Sequence, residues 1–149
     1  MKVSIPDQCA DHRKVERIVC AEQGRKITFL NPKKRPVVKY SIDSCAPLRR
    51  HLADGTCKLC DFVVIDWRKD EHYVELKGRN VGHALKQLES TILQLRSEGA
   101  VGVVYCWIIT TASPSNTAKS LNRKAQFKKR FKARLEIRTN QHVHSLESS

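Results

Sequence analysis

The chain has 149 residues, 40% of them hydrophobic, which suits one compact domain with its own core. A formal net charge of +13 favours a polyanionic partner, most simply nucleic acid. No apolar run is long enough to span a membrane and the polar N-terminus lacks a signal-peptide pattern, so the expectation is a cytoplasmic, intracellular protein without membrane contact.

In chain order, residues 5–23 read as a helix. Pro6 suits its first turn and Gly24 its C-terminal cap. Ile5, His12, Val15, Val19 and Glu22 fall along one stripe, with Cys9 and Glu16 at its edge. Lys26 to Leu30 and Val37 to Ile42 read as strands. The turn between them, Asn31 to Pro36, carries Lys33, Lys34 and Arg35 at a basic tip suited to a phosphate backbone or simply to solubility. Asp43 ends the second strand as a spare carboxylate. Residues 44–59 look irregular, with a short helical turn around Pro47 to Leu52.

Six cysteines stand at positions 9, 20, 45, 57, 60 and 106, and free thiols are expected. Cys45, His51, Cys57 and Cys60 are four potential zinc ligands within sixteen residues. Structural zinc sites usually show two tight pairs and only Cys57-x-x-Cys60 is present, so buried thiols beside a strand are the preferred reading.

Asp61 to Gly78 reads as two strands and a turn. Phe62 to Trp67 is rich in β-branched and aromatic residues. Arg68, Lys69, Asp70 and Glu71 suit a surface turn, and His72 to Lys77 reads as the return strand. Side chains alternate between the faces of a strand. Asp61 therefore shares a face of its strand with Val63 and Ile65, and on the second strand Tyr73, Glu75 and Lys77 share one face, with Val74 and Leu76 on the other. Two carboxylates and a lysine can meet on one surface of the hairpin.

Residues 82–98 form the clearest helix, with Val81, Ala84, Leu85, Leu88, Ile92 and Leu95 at helical spacing and Gly99 as the stop. Val101 to Thr110 is an apolar run suited to a central buried strand. A turn at Ser113 to Asn116 precedes a basic helix over 117–131, and Arg134 to Arg138 reads as a strand. Lys119, Arg123, Lys124, Lys128, Lys129, Arg130 and Lys132 have no acid among them, and Lys124, Lys128, Lys129 and Arg130 are the candidates for phosphate contact. Residues after Thr139 look like a frayed tail.

The hairpin resembles the PD-(D/E)xK nuclease superfamily, in which an Asp at the start of one strand precedes a D/E-x-K triplet on the next. Asp61 matches the Asp and Glu75-Leu76-Lys77 the triplet, and Gly78 follows it. Cys60 stands where the pattern has proline. The resemblance implies an α/β domain over residues 1–140 with a restriction-endonuclease-like core, a mixed central β-sheet flanked by helices, and a disordered tail over 141–149. It implies a metal-dependent endonuclease that hydrolyses phosphodiesters, in DNA more than RNA. Asp61 and Glu75 would hold Mg²⁺ or Mn²⁺, and Lys77 would act on the attacking water or the developing charge. The family's first helix often supplies a further acid, for which Glu16 is preferred over Glu22. The family's glutamine behind the triplet is matched by Gln87, and His83 lies one turn earlier. The alternatives are a non-catalytic nucleic-acid-binding module and a subunit of a larger defence, repair or mobile-element complex. A homodimer, with one subunit for each strand, fits the resemblance too.

Overall fold

The computed structural model describes residues 4–52, 55–95, 102–111 and 118–148, the last of these without the side chains of residues 118–120 and 148. The expected stop at Gly99, the turn at Ser113 to Asn116 and the side chain of Lys119 lie outside the described residues. The elements run β1 (Ala10–Arg13), β2 (Arg17–Glu22), β3 (Arg25–Leu30), β4 (Val37–Ser41), α1 (Ala46–Arg49), β5 (Phe62–Ile65) and β6 (Glu71–Lys77). They continue α2 (Val81–Leu95), β7 (Val104–Thr110), α3 (Ala118–Phe131), β8 (Ala133–Thr139) and β9 (Gln141–Ser145).

Six strands form a mixed sheet in the order β1-β4-β5-β6-β7-β8. The first four are mutually antiparallel, while β6, β7 and β8 are parallel. Parallel neighbours need crossovers, and α2 and α3 supply them. Each crossover moves one strand in the same direction, so a common hand puts both helices on one face. That face holds one core: Val63, Tyr73, Cys106, Ile108 and Leu135 from the sheet against Leu85, Leu88, Ile92 and Phe127 from the helices. β7 is buried along its whole length, as its apolar run requires.

The opposite face is covered by a second sheet, β2-β3-β9. Val64, Val74, Leu76, Tyr105, Trp107 and Ile109 pack there against Ile18, Cys20, Ile27 and Phe29. The molecule is thus an α/β protein of three layers, helices on one face of a mixed sheet and a small sheet on the other.

The expected helix over 5–23 does not form. A single 3-10 turn at Asp7–Cys9 leads into β1 and β2. Ile18 and Cys20 point inward while Val19 is exposed, a period of two that the wider helical stripe masked. Gly24 is not a helix cap. With Gln23 it makes the two-residue turn between the paired Glu22 and Arg25, and both turn residues have positive φ, 47° and 82°. That conformation matches the twist of a tight hairpin.

The frayed tail is a second correction. β9 pairs in parallel with β3, and Leu146 beyond it is fully buried. Asn140, at a positive φ of 60° that asparagine tolerates, carries the chain from β8 in one sheet to β9 in the other. The charged turn after β5 differs too. The strand stops at Ile65, and Asp66 is buried at 2% exposure, where it accepts the N–H groups of Arg68 (2.9 Å) and Asp70 (3.0 Å). Asp70 is also buried and accepts the N–H of Val103 at 2.8 Å. These two carboxylates hold the turn from inside rather than decorate it. Finally, Cys9 and Cys45 form a disulfide, where free thiols are expected from the sequence.

Because Leu146 fills the space beneath β3, Leu146→Ala should cost about 2–5 kcal/mol of stability. Chemical denaturation measures this. A variant that unfolds at the wild-type denaturant concentration would return residues 141–149 to the status of a tail.

Candidate active site

β5 and β6 are in register with Phe62 opposite Val74 and Val63 opposite Tyr73. The N–H of Asp61 donates to the carbonyl of Val74 at 3.0 Å, one residue off that register, so the regular ladder ends at Phe62. Val63 and Tyr73 belong to the core under the helices, and alternation along each strand turns Asp61 and Glu75 to that same face. Lys77 follows two residues on, at the carboxyl end of β6. That end is fixed by its neighbour, since the carbonyl of Gly78 accepts bonds from Thr110 Oγ1 (2.6 Å), Thr111 Oγ1 (2.6 Å) and the Thr111 N–H (2.8 Å).

Helix α2 fixes the other strand. Gln87 Nε2 donates to the carbonyl of Leu59 at 3.2 Å, and Thr91 Oγ1 accepts the N–H of Cys60 at 2.8 Å. One helical turn thus grips the chain on both sides of the Leu59–Cys60 peptide, immediately before Asp61. Gln87, on α2, also lines the cleft that holds Asp61, Glu75 and Lys77, and its amide holds the chain two residues before Asp61.

The carboxylates open into a polar cleft of about 500 Å³. Its walls carry Glu22, Gln23 and Arg25 from the β2–β3 hairpin, Asp43 and Lys58 from the loops around α1, and Lys77 and Gln87. Arg49 braces one wall, with Nη2 2.6 Å from Asp43 Oδ1 and Nη1 donating to the carbonyl of Cys57 at 2.9 Å.

Burial governs the charge state. Glu75 is 2% exposed, and burial and the neighbouring Asp61 push its carboxyl up to about 8, while Lys77 pulls the other way. Burial and the charge of Glu22 push Asp61 up to about 6, against the Leu76 N–H that Oδ2 accepts at 2.8 Å. The two carboxyls are close enough that the charge of Asp61 disfavours ionisation of Glu75, so they titrate as a pair. Glu75 Oε1 and Gln87 Oε1 are buried and have no hydrogen-bond partner among the described residues.

These features bear on a metal. Two carboxylates and an amide oxygen are hard ligands suited to Mg²⁺, which binds one or two carboxylates and keeps several waters. The two orphaned oxygens are acceptors that a cation or its waters would satisfy. Among the described residues no cluster of three or more His, Cys, Asp or Glu is spaced to hold an ion alone, so water and phosphate oxygens would complete the shell. The residues fit a divalent cation on that basis. The Cys45, His51, Cys57 and Cys60 set does not gather: Cys45 is in the disulfide and Cys60 is buried with its thiol against the carbonyl of Phe62.

Other expected site residues are placed differently. Glu16, preferred as the extra acid, is exposed in the link between β1 and β2 and does not line the cleft. Glu22, the less favoured choice, does, because the hairpin turn brings the end of β2 over the cleft. Lys128, Lys129 and Arg130 end α3, beside the start of β8. Ala133 aligns with Val104 and Glu71, whereas Thr139 aligns with Thr110 and Lys77, so these cations lie at the opposite end of the sheet, roughly 20 Å from the carboxylates. Lys124 pairs with Glu136 (3.6 Å) and Arg130 with Glu89 (3.5 Å). The cations lining the carboxylate cleft are instead Arg25, Arg49, Lys58 and Lys77, of which Arg49 pairs with Asp43. Reading Gln23-Gly24 as a hairpin turn would have found Glu22 and Arg25; nothing in the irregular stretch singled out Lys58. No family model, curated protein or solved structure matches the chain.

A carboxyl whose folded-state pKa is raised stabilises the fold below its unfolded value and loses that contribution as pH rises through the folded value. For Glu75 the window runs from about 4.5 to about 8. Glu75→Gln should therefore gain stability over the wild type as pH rises across it, by at most ~1.4 kcal/mol per pH unit. Thermal melts at both ends of the window test this. An equal difference at both ends would mean that Glu75 ionises as an ordinary surface acid.

Proposed function

We propose that the protein is a metal-dependent nuclease that hydrolyses phosphodiester bonds in nucleic acid, DNA in preference to RNA. The observation that carries this is the pairing of Asp61 with the buried Glu75 on one face of the hairpin, with an oxygen of Glu75 left unpartnered and Lys77 on the same strand face. Burying two carboxylates beside each other destabilises a fold unless a ligand compensates. Asp61 and Glu75 would hold Mg²⁺ or Mn²⁺, which would polarise the phosphate and lower the pKa of a bound water. Lys77 would orient the attacking water or meet the charge that develops on the phosphate. Gln87 keeps Asp61 in position through Leu59. The net charge of +13 supports a polyanionic substrate. The resemblance of Asp61 and Glu75-Leu76-Lys77 to the PD-(D/E)xK pattern agrees with the same chemistry.

The test is single-turnover cleavage of DNA and RNA with Mg²⁺ or Mn²⁺, beside a binding titration in EDTA. Asp61→Asn, Glu75→Gln and Lys77→Ala should each slow cleavage by about a hundredfold or more. For Lys77→Ala the rate should fall far more than the affinity. A Lys77→Ala protein that cuts at the wild-type rate would remove the basis for the reading. A wild-type protein that binds nucleic acid and cuts none of it would point to a binding module.

A further inference from the structure

The carboxylate cleft runs on along α2 into a second cleft of about 340 Å³. The two share Lys58, Lys77 and Gln87, and the second adds Cys57, His83, Lys86 and Ser90. His83, Lys86, Gln87 and Ser90 fall at helical spacing on one face of α2, so the helix presents them as a row. Among the described residues no aspartate or glutamate lines this second cleft.

Ion pairs take up several of the cations elsewhere, though not all: among the described residues Lys128 and Lys129 have none. Arg13, Arg49, Arg68, Lys124, Arg130 and Arg138 each pair with a carboxylate. Among the described residues Lys58, Lys77 and Lys86 have no ion-pair partner within 4.0 Å. Lys58 and Lys86 are exposed, as is His83. Lys58 and Lys77 also face the carboxylates of the first cleft, whereas Lys86 lines only the second, where like charges gather and an anion would be attracted. An anion with several acceptor oxygens suits the point-charge donors of lysine.

We infer that Lys58, His83, Lys86 and Ser90 form a phosphate subsite that holds the backbone of a nucleic-acid strand beside the phosphate at Asp61 and Glu75. The assignment of the neighbouring phosphate rests on the nuclease reading; the binding of polynucleotide at Lys58 and Lys86 does not. Continuity of the two clefts through Lys58 and Lys77 sets the path of the strand, across the carboxylates and along the N-terminal half of α2. The bases are not read here, so binding is indifferent to sequence.

The experiment uses the whole chain in EDTA with labelled single-stranded DNA, its duplex and RNA of the same sequence. Lys58→Gln with Lys86→Gln should weaken binding by about tenfold or more and make the salt dependence shallower by roughly one to two in log–log slope. Lys58→Arg with Lys86→Arg should retain binding, which separates lost charge from a lost fold. Comparing the three ligands shows which form of polynucleotide the subsite takes. Wild-type affinity and slope in the double glutamine variant would overturn the inference, as would a wild-type protein that binds none of the three at low salt. Cleavage with Mg²⁺ is read separately. A protein that binds through Lys58 and Lys86 yet cuts nothing would keep the subsite and lose the nuclease reading. One that cuts, but binds equally well without these lysines, would do the reverse.

Discussion

The register between β5 and β6 is the constraint on which the site depends. A shift of one residue would send Glu75 and Lys77 to the other face, among Phe29, Trp107 and Ile109, and would bring Val74 and Leu76 under the helices. Several contacts hold it. Asp66 and Asp70 fix the turn from within, α2 grips the chain ahead of Asp61, and β7 fixes the end of β6 at Gly78. What this framework holds in place is an unfavourable feature, two neighbouring carboxyls taken partly out of water. Their raised pKa values and the unpartnered oxygen of Glu75 are local costs that the surrounding strands over-determine.

The small second sheet contributes to the same cleft from the other side of the molecule. Its β2–β3 hairpin reaches the end of β6 and sets Glu22, Gln23 and Arg25 on the cleft wall. The hairpin is supported by the core between the sheets. There Trp107 Nε1 donates to His72 Nδ1 at 3.1 Å, and the His72 ring stacks on Tyr105 with centroids 4.5 Å apart. Burial holds His72 neutral, with its pKa lowered to about 3, so this polar ring packs as an aromatic one. His142 and His144 of β9 pack against Trp107 from below. The outer wall of the cleft therefore rests on packing on the far face of the sheet.

The carboxylate pair and Lys77 were legible because strand alternation is strict and the hairpin is short. The periodic helix α2 and the apolar run of β7 were legible for the same kind of reason, and Gln87 with them. Misreadings arose where polar side chains take inward positions. In β9 the inward residues are His142 and His144, with the buried Leu146 just beyond it, so the sequence looks like a solvated tail. In β2 only Ile18 and Cys20 point inward, and the exposed Val15 and Val19 complete a false helical stripe. That misreading also moved the extra acid to Glu16 and hid Arg25. The cations of α3 were conspicuous as a run, but charge density along the chain does not say which end of a sheet a helix reaches. Lys58 and Lys86, isolated in the sequence, come together only when the loop before β5 folds against α2.

The most direct test of the account is diffraction from crystals soaked in Mn²⁺, with anomalous scattering used to locate the ion. The account predicts an ion held by oxygens of both Asp61 and Glu75. No anomalous peak between the two carboxyls at saturating Mn²⁺ would contradict it.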